Sequence, residues 1–66
     1  MVAVSLIREG AEGEAPLWTG YLALPDVGAI LVIDGSSYEV VSHRYELSAG
    51  AVWQGPIVVV IRAVQA

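Results

Sequence analysis

Read as apolar and polar positions, the chain is a series of short alternating runs divided by glycine, proline and acidic turns. Such alternation marks a strand with one face buried. Val2, Val4 and Leu6 alternate with Ala3, Ser5 and Ile7, which predicts a first strand over Val2–Arg8. A second is predicted over Leu17–Leu24. Trp18, Leu22 and Leu24 share one face, Leu17, Thr19 and Tyr21 the other, and Gly20 marks a bend or a close backbone approach. A third covers Ala29–Ile33, and a fourth runs from Ser37 to about Leu47. The last covers Ile57–Val64. Both of its faces are apolar over Ile57–Ile61, which suits a strand covered on both sides or pressed against another chain.

The breaks between these runs carry turn chemistry. Glu9 to Pro16, "EGAEGEAP", reads as an exposed, mobile loop. Pro25 presets φ for a turn, and Asp26 can accept nearby backbone N–H groups. Asp34-Gly35 is the strongest short hairpin signal, because both residues tolerate the positive φ of a type I′ turn. Ser48 to Gly50 makes a further turn, and Gly55-Pro56 must break the final apolar segment. In the fourth strand, regular alternation puts Tyr38, Val40 and Ser42 on one face. Glu39, Val41, His43, Tyr45 and Leu47 fall on the other unless a bulge shifts the register.

Sixty-six residues make one domain, residues 1–66. Helix signals are poor, since Val and Ile crowd the apolar runs and Gly or Pro interrupts them. Five short antiparallel strands have too little interior for a two-sheet sandwich but can curl. The expected fold is all-β, a small five-stranded, partly open antiparallel barrel, SH3-like, with an OB-like barrel as the alternative. The segment "VGAILVIDGSSYEVV" looks like the central hairpin of many unrelated small barrels, and this is a fold hint only.

Composition adds a surface to this picture. The chain is 56% apolar, more than so small a domain can bury, so an exposed patch is expected. The reading that follows is a chain that binds a protein partner or itself. There is no cysteine, so no disulfide or thiolate site exists. Three arginines and no lysine face seven carboxylates, for a net charge of −4. That balance disfavours both nucleic acid and anionic membranes. No apolar run is long enough to span a bilayer, and the N-terminus lacks a signal-peptide pattern. The chain reads as complete, soluble and cytoplasmic, of a size and style that fit a phage or mobile-element accessory protein.

Candidate chemistry is sparse. His43 is the only histidine, and Ser42 beside it points to the opposite face of a regular strand, so the two cannot form a nucleophile–base pair. Ser36, Ser37 and Ser48 have no base to activate them. Glu12 and Glu14 offer a hard cation only a solvated loop. No enzyme activity, metal, cofactor or small-molecule substrate is expected. The residues that suit protein contact are Trp53, His43, Arg44, Tyr45, Trp18 and Arg62. Trp53 stands beside the Gly55-Pro56 break, and tryptophan is enriched at contact hot spots. Arg62 reads as an outward charge guarding an aggregation-prone strand, or as an arm to a partner's carboxylate. The alternative function is a nucleic-acid-binding barrel, which needs Arg8, Arg44 and Arg62 gathered on one surface of an oligomer.

Overall fold

A computed structural model describes residues 1–11, 13–47, 49–50 and 55–64. It holds five strands and no helix among them: β1 (Val2–Arg8), β2 (Trp18–Leu22), β3 (Ile30–Ile33), β4 (Ser36–Arg44) and β5 (Ile57–Ala63). They form one sheet in the order β2-β1-β5-β4-β3. The sheet curls into a half-barrel, so the expected small, partly open barrel is what the chain forms. One pairing departs from the wholly antiparallel expectation. β1 and β5 run parallel, with Leu6 beside Val59, whereas the other three pairings are antiparallel.

The parallel pair sits at the centre and holds the core. Val4, Leu6, Val40, Val59 and Ile61 are fully buried on the concave face. Trp18, Leu22, Leu31, Ile33, Tyr38 and Ile57 pack around them, half-buried. On the convex face Val58 lies between Ser5 and Arg44, and Val60 lies between Ile7 and Ser42. Both valines are buried. This explains the unbroken apolar run of the last strand: β5 has neighbours on both sides, and both of its faces are covered.

Asp34 and Gly35 have φ of 50° and 83°, as a type I′ turn requires. The strand ends differ from the sequence expectation by a few residues, chiefly in β2 and β4, where the alternating pattern outlasts the pairing.

Candidate functional site

Two features position the open side of the half-barrel. The first is a bulge in β4. Val40 pairs with Ile61, but Ser42, not Val41, pairs with Val60. Val41 is the extra residue, and beyond it the alternation inverts. Ser42 and Arg44 therefore face outward with Val60 and Val58, and His43 turns to the concave side with Val59. This corrects the regular alternation expected for β4. The half-buried His43 ring places Nε2 2.6 Å from the carbonyl oxygen of Pro25, in the connection between β2 and β3. That oxygen accepts, so Nε2 carries the proton.

The second feature is the turn that follows Pro25. Ala29 N–H donates to Asp26 O at 3.0 Å, with Gly28 at φ 96° in the third position, as a type II turn requires. Gly28 N–H donates to Val40 O, and Val40 N–H donates to Ala29 O. His43 and Val40 thus fix the start of β3 from both ends of the turn.

β3 forms one edge of the sheet and β2 the other. The two-residue turn makes Ile33 and Ser36 a hydrogen-bonded pair, so Leu31 and Tyr38 are the next, and Ala29 and Val40 continue the series. The N–H and C=O groups of Ile30 and Val32 point the other way, along the open edge. Their side chains are 55% and 68% exposed. No charge, proline or bulge interrupts Ile30–Ile33, the usual guards of a sheet edge.

Between the two edges lies a cleft of about 360 Å3. Leu17, Trp18 and Leu22 line one wall, Leu31, Val32 and Ile33 the other, with Asp34 at the rim. Cα atoms of β2 and β3 stay more than 8 Å apart. Neighbouring strands sit about 4.8 Å apart, so the edges do not close on each other. The Trp18 ring folds over Gly20, where an added Cβ would lie 2.6 Å from Cη2. The close approach expected at Gly20 is therefore made by a side chain.

The residues singled out in the sequence do not gather into one patch. Trp18 lines the cleft, and His43 braces the loop behind it. Arg44 is exposed on the convex face, 3.6 Å from Glu46. Arg62 is exposed there too and bonds Glu39 at 2.6 Å, so in this chain it meets its own carboxylate. That bond and the charge of Glu39 raise the Arg62 pKa above its ordinary value. Tyr45 is exposed beside Val2, Ala3, Gly55 and Ile57. Trp53 lies outside the described residues. Arg8 lines a hollow with Glu9, Glu14 and Arg62 at the end of the sheet away from Arg44.

Sequence reasoning passed over Ile30, Leu31, Val32 and Ile33, which look like ordinary strand residues until the strand order leaves them at an edge. The signal present was the run itself, four aliphatic residues with no guard. Among the described residues no cluster of three metal-ligating side chains occurs, and no helix is long and apolar enough to cross a membrane. No family model, curated protein or solved structure matches the chain.

Proposed function

We propose that this chain is a non-enzymatic protein-binding module, an adaptor, inhibitor or structural subunit, that works through the open side of its half-barrel. One observation carries the reading: the β3 edge presents backbone groups at Ile30 and Val32 that have no partner among the described residues, beside an apolar cleft. An extended segment laid along that edge gains main-chain hydrogen bonds, and its alternate side chains reach the cleft. Burial of Leu17, Trp18, Leu22 and Leu31 then completes a core that the five strands leave open. A small acidic chain without lysine suits a cytoplasmic accessory protein of a phage or mobile element.

Self-association through the same edge is the second reading. It is favoured by the exposed Ile30 and Val32, which two antiparallel copies would place opposite each other around Leu31. Nucleic-acid binding has less support, because Arg44 and Arg62 each stand beside a carboxylate of the same chain.

The test is selection of peptides from a random display library on the immobilised protein, repeated on Val32→Pro. Proline removes the edge N–H of residue 32 while leaving the β3–β4 ladder whole. Peptides that bind the parent and lose at least tenfold in affinity on the proline variant support the reading. A selection that yields no binder, or binders indifferent to the proline, contradicts it.

A further inference from the structure

We propose that the segment accepted at the open edge is apolar in its middle and carries lysine or arginine at both ends, and that it comes from a different protein, not from a second copy of this chain. The proposal rests on the open-edge reading above and names the occupant.

Charge decides between the two occupants. β3 is bracketed by Asp26 in the turn before it and Asp34 in the turn after it. Neither has an ion-pair partner among the described residues. Asp34 stands on the rim of the cleft, whose other lining residues are apolar. Two of the arginines stand beside carboxylates of their own chain, Arg44 by Glu46 and Arg62 on Glu39, and Arg8 lines the hollow with Glu9 and Glu14 at the end of the sheet away from Arg44. The approach to β3 is thus an aliphatic strip with a carboxylate at each end, and Arg62 beyond it is held by Glu39, the partner of Ile30 on β4.

A second copy fits that strip badly. Antiparallel pairing about Leu31 would set Asp34 of each copy opposite Gly28 of the other, two residues from its Asp26. Two like charges would then meet at each end of the interface, in molecules that each carry a net −4. A foreign strand with a cation at each end gains where the copy loses. Its backbone pairs with Ile30 and Val32, its apolar side chains enter the cleft between Trp18 and Ile33, and its terminal cations reach Asp26 and Asp34.

The test uses the full chain, 15N-labelled and dilute, with a nine-residue synthetic peptide of alternating threonine and valine and a lysine at each end. A second peptide carries glutamate in place of both lysines. Amide hydrogen exchange and chemical shifts at Ile30 and Val32 read the edge directly. The expected result is protection of both amides by the lysine-ended peptide, with about five- to tenfold weaker binding of the glutamate-ended one, the scale of two exposed ion pairs. Asp26→Asn with Asp34→Asn should abolish that preference. Asparagine keeps the positive φ that the Asp34 turn needs, so the hairpin survives.

Equal binding of the two peptides by the parent chain would overturn the proposal and leave the open-edge reading standing. So would edge protection that grows with protein concentration and needs no peptide, since a second copy would then be the occupant. No protection under either condition would overturn both.

Discussion

His43 Nε2 and the carbonyl oxygen of Pro25 meet at 2.6 Å across the concave side of the half-barrel, joining residues 18 apart in the chain. The bond exists because the bulge at Val41 turns the imidazole inward. It ties the β2–β3 connection to the centre of the sheet and so fixes where the free edge of β3 begins.

Loss of that tie is measurable. His43→Ala should lower stability by about 1 kcal/mol, the net worth of one partly buried hydrogen bond. It should also speed amide exchange at Gly28 and Ala29 more than at core positions. Urea denaturation and exchange mapping check both effects. Exchange at the turn that matches the parent chain would remove the bracing role of His43.

Gly20 is held glycine by Trp18. A Cβ at position 20 would lie 2.6 and 2.8 Å from Cη2 and Cζ2 of the indole, so the ring must swing out of the cleft. Gly20→Ala should cost about 1–3 kcal/mol, the usual range for overpacking. The cost should shrink when Trp18 is also changed to Leu. A double-mutant cycle by chemical denaturation measures the coupling, and additive losses would show that the ring and the glycine act independently.

The hairpin turn should be as sensitive as its angles imply. Gly35→Ala places a Cβ at φ 83° and should destabilise the fold by about 1 kcal/mol. Asp34→Asn should be nearly neutral, since asparagine is at home at the φ of 50° found there. Thermal melts of the two variants give the comparison, and equal losses would argue against the type I′ geometry.

Core and edge should separate cleanly. Ile61→Ala removes a fully buried side chain and should cost about 2–5 kcal/mol, enough to threaten the fold of a chain this short. Val32→Thr changes an exposed position and should leave stability within about 0.5 kcal/mol of the parent. Circular dichroism during denaturation distinguishes them, and a large loss from Val32→Thr would mean that the edge is already covered.

Much of the fold was legible in the sequence because it rests on local patterns. Alternation located five strands, Asp34-Gly35 announced the hairpin, and Gly55-Pro56 marked the start of β5. The pairing was less legible. β1 lies parallel to β5 because of contacts between chain ends, and no local residue encodes that. The bulge falls within Val40-Val41, where two like residues give no sign of which is the extra one, so the facing of His43 was hidden too. The edge status of Ile30 and Val32 follows from strand order and was hidden with it. Trp18 was visible as a contact residue, and the structure sets it in the cleft wall.

The free edge of β3 is tested most directly by amide hydrogen exchange along that strand in the isolated, dilute chain. Leu31 and Ile33 should exchange slowly because their N–H groups face β4, while Ile30 and Val32 between and beside them exchange fast. Slow exchange at all four positions would contradict the account, because it would mean that the edge is already paired.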